Sequence, residues 1–207
     1  MRIEGKKLKK VSNKVNILES IDISITSDTI FGLLGPNGAG KTSLFSILAG
    51  LSKPSEGEVL YDSKIVNNLS FEKRSELGVI YLPQEPSVFR ELTVEENIKA
   101  ALEANKYEKK EIDNKFTRIS EEFDLMSIKT QKCNSLSGGQ RRRVEIARAI
   151  ALNPKLILLD EPFAGIDPLI INEIKTLIKN LKEKGIGVLI SDHNVNSTLD
   201  ICDYIYV

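Results

Sequence analysis

Thr29–Leu34 reads "TIFGLL", an almost unbroken apolar run that leads directly into "GPNGAGKT" (Gly35–Thr42) and then "SLFSILAGL". A strand apolar on both faces, a glycine-rich loop and a helix, in that order, restrict the fold more than any other feature of the chain. Such a strand must be covered on both sides, which predicts a parallel sheet with helices on its faces. The loop satisfies G-x-x-x-x-G-K-[S/T] at every position. Its glycines let successive backbone N–H groups turn inward around a phosphate, and the following helix adds the positive end of its dipole. Lys41 is placed to reach the β- and γ-phosphates of a nucleotide, and the Thr42 hydroxyl to meet Mg2+. Gly35, Pro36, Asn37, Gly38, Ala39, Gly40, Lys41, Thr42 and Ser43 are the candidate nucleotide cradle.

Further buried strands are predicted at "LGVIYL" (77–82), "KLILLD" (155–160) and "IGVLIS" (186–191). Between the last two, Ile171, Ile174, Leu177, Ile178 and Leu181 recur at helical spacing. The expected core is therefore α/β, a P-loop NTPase fold with a mostly parallel sheet and right-handed crossovers. Ahead of it, Ile21, Ile23 and Ile25 alternate with Asp22, Ser24 and Thr26, the pattern of an N-terminal antiparallel β subdomain wet on one face. From Thr93 to Gln131 charges dominate and glycine and proline disappear, and Thr93 with Glu96 makes a capping-box start. This predicts an α-helical subdomain inserted at about residues 90–152 of a single 1–207 domain.

Three strand ends carry the remaining chemistry, because ligands of open parallel sheets sit at the carboxyl ends of the strands. "LILLDEP" places Asp160 for Mg2+, directly or through water, and Glu161 for orienting and deprotonating an attacking water. Two acids can also simply cap a turn, but here they end a strand with no other use for charge. His193, the single histidine, follows "LIS", from where it would reach the γ-phosphate; without its neighbours it would read as structural. Gln84 in "YLPQEP" also follows a buried strand, as a candidate Mg2+ or water contact.

"LSGGQRRRVEIARAI" (136–150) opens a second helix like another phosphate seat, through Ser137, Gly138 and Gly139. Arg141–Arg143 stand in its first turns, where the dipole disfavours cations, so something negative is expected beside them. Pairing with Glu145 and solvent would answer this as well as a phosphate does. One nucleotide has its phosphates wrapped by Gly35–Thr42 already. The second seat is best explained by a nucleotide on another copy, so that two chains, head to tail, enclose two ATP.

In this order the motifs resemble the nucleotide-binding subunits of ATP-binding cassette transporters: P-loop, glutamine loop at Gln84, "LSGGQ", Asp160–Glu161, "AGID" ending in Asp167, and His193. The resemblance implies an ATPase in which Ser137, Gly139 and the adjoining Gln140 contact the partner's nucleotide and Asp167 crosses the interface. Within the family, "YLPQEPSVFRELTVEEN" and "LSGGQRRRVEIARAIALNPKLILLDEPFAGIDP" are similar to lipopolysaccharide-export ATPases, with branched-chain amino-acid importers close behind. That likeness implies transmembrane subunits docked near Val88, Phe89 and Arg90. It also implies a site on the cytoplasmic face of an inner membrane. The family places an aromatic ring near Ser12 to stack on adenine, whereas no aromatic precedes Phe31 here, leaving Val15 as an apolar contact. The family also continues past the strand at "YIYV", so residues beyond Val207 are expected.

Composition agrees with a cytoplasmic protein. Lys+Arg and Asp+Glu are balanced at 29 each, which gives no electrostatic footprint for nucleic acid and disfavours a cassette acting on DNA or ribosomes. "MRIEGKKLKKVSN" lacks the apolar centre of a secretory signal, and no apolar run approaches a membrane span. Cys133, Cys202 and one histidine offer no zinc spacing and read as reduced thiols.

Overall fold

The computed structural model describes residues 1–193 and 195–207. The chain runs β1 (Arg2–Ser12), β2 (Val15–Thr26), β3 (Ile30–Leu33), α1 (Lys41–Ala49), β4 (Glu56–Tyr61), β5 (Lys64–Ile65), α2 (Phe71–Glu76) and β6 (Val79–Leu82). It continues through α3 (Val94–Ala104), α4 (Lys109–Glu122), α5 (Gly138–Ala151), β7 (Leu156–Asp160), α6 (Pro168–Glu183), β8 (Gly187–Ser191), α7 (Val195–Leu199) and β9 (Tyr204–Tyr206). Two sheets result. One is antiparallel in the order β2-β1-β4-β5, and the other has the order β6-β7-β8-β3-β9 with every pair parallel.

The apolar runs are continuous because the parallel strands are buried on both faces. Along β7, Leu156 and Leu158 pack with α1 and the antiparallel sheet, while Ile157 and Leu159 join the core formed with α3–α6. The helix predicted from Thr93 starts with the expected capping box, Thr93 Oγ1 accepting from the Glu96 N–H and Glu96 accepting from Thr93. It stops after Ala104, and a turn with Lys106 at φ 61° separates it from α4. No glycine or proline marks that break, so composition alone could not place it.

A tie invisible in the sequence joins α1 to α2. Arg74, in the charged stretch "FEKRSE", is fully buried. Its Nη1 donates to Ile47 O (2.8 Å) and Leu48 O (3.0 Å), its Nη2 to Val66 O (2.8 Å) and its Nε to Leu69 O (3.2 Å). A cation at the carbonyl end of α1 is favoured by the helix dipole and satisfies orphan carbonyls there. The guanidinium also lies 5.7 Å from the centre of the Tyr61 ring, and burial pushes the Tyr61 phenol up to about 12. Arg74→Met should lower the unfolding free energy by about 3 kcal/mol, since several buried carbonyls lose a charged donor together. Urea unfolding measures this, and a loss below about 1 kcal/mol would mean that water replaces the guanidinium.

Among the described residues no helix is long and apolar enough to cross a membrane, and no cluster of His, Cys, Asp and Glu forms a metal site.

Candidate functional site

The glycine loop leaves β3, which lies between β8 and β9 in the parallel sheet, and closes against β2. Gly40, the N-cap of α1, has φ 91°, and a Cβ there would lie 2.8 Å from Ile17 O and 2.7 Å from Leu18 Cδ2. Only glycine allows this approach. No side chain caps α1, which leaves its N-terminal amides turned to the loop. Lys41 is buried, its Nζ donating to Gly35 O (2.8 Å) and Pro36 O (3.0 Å), so one of three N–H directions remains for an anion.

These groups border a cavity of about 630 Å3, together with Asn37, Gly38, Thr42, Ser43, Gln84, Glu161 and His193. The parallel sheet thus gathers the loop and three strand-end residues in one space. Gly35, Pro36 and Ala39 face the opposite side, towards β2 and Tyr206. Val15 does not line the cavity: it sits at the end of the β1–β2 hairpin, 63% exposed, and Ile17 supplies the apolar wall instead. The two residues share a face of β2, and Ile17 is the one beside the glycine loop, its carbonyl oxygen 2.8 Å from a Cβ placed on Gly40.

Asp160 ends β7 and stands behind this wall, almost fully buried. Its Oδ1 accepts from Ser191 Oγ (2.5 Å) and its Oδ2 from Tyr81 OH (3.2 Å). Burial and the adjacent carboxylate push the Tyr81 phenol far up, which keeps it a donor at any working pH. Glu161 turns sharply out of the strand at φ 46°, a conformation costly for a residue with a Cβ. Its N–H still donates to Ser191 O (2.7 Å), and its Oε2 lies 3.4 Å from His193 Nδ1. Asp192, which the motifs did not single out, is buried beside them and accepts from the Phe163 N–H at 3.0 Å. A buried acid between an apolar strand and the histidine was the available signal.

Ser137, Gly139, Gln140 and Asp167 stand outside the lining of this cavity. Ser137 caps α5: its Oγ accepts from the Gln140 N–H (3.3 Å) and Gln140 Oε1 accepts from the Ser137 N–H (3.0 Å). Gly139 admits no side chain, because a Cβ would meet Ile170 Cγ2 at 2.4 Å. Ser137 and Gly138 are exposed. Asp167 is the N-cap of α6, accepting from the Leu169 N–H at 2.8 Å.

Of the two readings open for the arginines, compensation by a phosphate or pairing within the chain, the structure shows the second. Arg142 pairs with Glu145 at 2.8 Å, Arg143 with Asp124 at 3.1 Å, and Arg141 Nη2 donates to Leu136 O at 3.1 Å. Nearby acids and a carbonyl of the same chain answer the charge.

Glu145 also ties α5 to the loop after β6. Its Oε1 accepts from the Ser87 N–H (2.7 Å), while Arg148 Nη1 donates to Ser87 O (2.5 Å) and its guanidinium lies 4.6 Å from the Phe89 ring. Asn97, fully buried, accepts from the Phe89 N–H at 2.9 Å. In this loop Phe89 (51% exposed) and Arg90 face outward, but Val88 belongs to the core, which corrects its expected place on a docking surface. Both cysteines are free, and burial pushes the Cys202 thiol up to about 12.

The family description "ABC transporter" matches residues 18–164. The chain belongs to the ATP-binding cassette transporter family. It is 44% identical over 206 residues to the lipopolysaccharide export system ATP-binding protein LptB of Haemophilus influenzae, covering 99% of this chain and 86% of that one. It is 42% identical to the same-named Escherichia coli protein, again over 99% and 86%. Among solved structures, the ADP conformation of the cassette MJ1267 superposes with a TM-score of 0.89 at 31% identity, covering 100% and 87% of the two chains. The dimeric post-hydrolysis cassette MJ0796 bound to ADP and Pi gives 0.83 at 29% identity, over 95% and 90%. This cassette accordingly binds nucleotide and hydrolyses ATP.

Glu145→Ala removes the acceptor of a backbone amide and strands a buried guanidinium, so a cost of about 3 kcal/mol is expected. Glu145→Gln, which keeps the acceptor, should cost less. Urea unfolding gives both values, and amide exchange at Ser87 should accelerate in the alanine variant. Equal stability of all three proteins would show the tie to be dispensable.

Proposed function

We propose that two copies of this cassette enclose two ATP head to tail and drive transmembrane subunits that export lipopolysaccharide. One observation carries the dimer: the Ser137–Gly139 turn stands outside the cavity that holds the chain's own Lys41, Glu161 and His193. A shared site gives that exposed turn its use. The lipopolysaccharide cargo rests on the names of relatives at 42–44% identity over almost the whole chain.

In this reading Glu161 takes a proton from the attacking water, a role worth about 10²–10⁴ in rate. His193, 3.4 Å from it, orients that carboxylate and contacts the γ-phosphate. Lys41 and the loop amides from Asn37 to Ser43 hold the phosphates, with Gly35 and Pro36 anchoring the lysine. Thr42 and Gln84 border the cavity with oxygen ligands suited to Mg2+, and Asp160, both oxygens already accepting hydrogen bonds, would reach the ion through water. That ion supplies charge neutralisation on the phosphate oxygens. Ser137, Gly138 and Gly139 meet the partner's γ-phosphate, with Gln140 keeping Ser137 in place and Asp167 at the interface. Phe89 and Arg90 form the exposed part of the surface for the membrane subunit, at the cytoplasmic face of the inner membrane.

Glu161→Gln should leave ATP bound, trap a dimer on size exclusion and cut turnover by about 10²–10⁴. A variant that stays monomeric with ATP contradicts the sandwich. Because Ile17 replaces an aromatic platform at the base end, Kd values for ATP and GTP should agree within roughly tenfold, stacking being worth about 1–3 kcal/mol where present. Strong adenine preference by calorimetry would assign the base to another contact.

A further inference from the structure

Glu161 leaves β7 in a left-handed turn, φ 46°, and the chain has few groups with which to hold it there. Pro162 has no N–H, so the amide donors on either side of the bend are those of Glu161 itself and of Phe163. Both are met by consecutive residues at the end of β8. The Glu161 N–H donates to Ser191 O at 2.7 Å, and the Phe163 N–H donates to Asp192 Oδ2 at 3.0 Å.

The second of these bonds departs from the sheet pattern. Regular β7–β8 pairing ends with Asp160 opposite Ser191, and beyond that rung a side-chain carboxylate takes the place of a backbone acceptor. Asp192 and Phe163 are both buried, and a buried N–H that loses its acceptor is costly. Asp192 Oδ1 lies 3.7 Å from His193 Nδ1, outside hydrogen-bond range, so of these two contacts the one to the turn is the hydrogen bond. Asp192 does not line the nucleotide cavity, whereas Glu161 does.

We propose that Asp192 is a positioning residue for ATP hydrolysis: by holding the Phe163 N–H it keeps Glu161 in its left-handed turn, with the carboxylate on the cavity wall. The inference rests on the reading of Glu161 as the base. Without the acceptor, the turn satisfies Phe163 by rotating, and Glu161 relaxes toward the backbone range that residues with a Cβ prefer. Its carboxylate then moves off the attacking water, and a misplacement of about 1 Å costs up to roughly 10²-fold in rate. The glycine loop leaves a different strand, β3, so nucleotide affinity is preserved.

The test measures ATPase rates per ADP-binding site counted by calorimetry, so that unfolded protein does not enter the rate. Asp192→Ala should lower kcat by roughly 10- to 100-fold with ADP affinity unchanged. Asp192→Ser, whose hydroxyl stands one bond nearer the backbone than the carboxylate oxygens, gives a second variant with a similar loss. Asp192→Asn, whose amide oxygen can accept the same N–H, should recover most of it. Because Asp192 acts through Glu161, adding Asp192→Ala to Glu161→Gln should leave the residual rate of Glu161→Gln within about threefold, where a general loss of structure would lower both backgrounds alike. Wild-type rates in both the alanine and serine variants overturn the proposal, as does a loss in Asp192→Asn equal to that in Asp192→Ala, or a double variant that falls below Glu161→Gln by the full factor seen for Asp192→Ala alone. A wild-type rate in Glu161→Gln would instead overturn the assignment of the base.

Discussion

A parallel sheet delivers the carboxyl end of every strand to one edge, and the chemistry of this cassette depends on that constraint. β6, β7, β8 and β3 pair side by side with no antiparallel neighbour, so Gln84, Glu161, His193 and the glycine loop emerge together although they are far apart in sequence. The edge is also fastened chemically. Ser191 at the end of β8 donates its hydroxyl to Asp160 at the end of β7 and accepts the Glu161 N–H on its carbonyl. With Tyr81 of β6 on the second oxygen of Asp160, three adjacent strands hold one carboxylate. Glu161 keeps its left-handed backbone because this network over-determines the turn, as strained functional residues require.

The same economy of contacts links the site to the surface. Glu145 and Arg148 of α5 grip both the N–H and the carbonyl of Ser87, and Asn97 of α3 grips the backbone of Phe89. The loop that begins at Gln84 therefore cannot shift far without carrying α5, whose first residues include the serine-glycine turn. A force applied at Phe89 and Arg90 has a packed, hydrogen-bonded route to Ser137. Its links are hydrogen bonds, the Arg142–Glu145 pair buried and those to Ser87 and Phe89 part-buried.

Much of this was legible in the residues. The doubly apolar strands, the glycine loop and the Thr93 capping box each follow from local periodicity or from a backbone need that few residues meet, and the structure repeats them nearly to the residue. What sequence reasoning missed depends on side chains whose roles are set by tertiary neighbours. Arg74 looks like a solvated charge but caps α1 from a buried position, and Arg143 pairs with the distant Asp124, whereas the Arg142–Glu145 pair was one of the two readings open in the sequence. Val88 packs into the core while Phe89 and Arg90 stay outside, and Ile17 rather than Val15 lines the cavity, because loop packing and position along the hairpin, not composition, place single apolar side chains.

The central claim is that each ATP is hydrolysed in a site built from two chains. Mixing two inactive variants tests it most directly: Lys41→Ala, which loses the loop, and Ser137→Arg, which loses the facing turn. Paired together they leave one intact site, formed by the loop of the serine variant and the turn of the lysine variant. The account predicts that ATPase activity, absent from either protein alone, returns on mixing and follows the fraction of mixed dimers. A mixture as inactive as its components, while still forming mixed dimers, would contradict it.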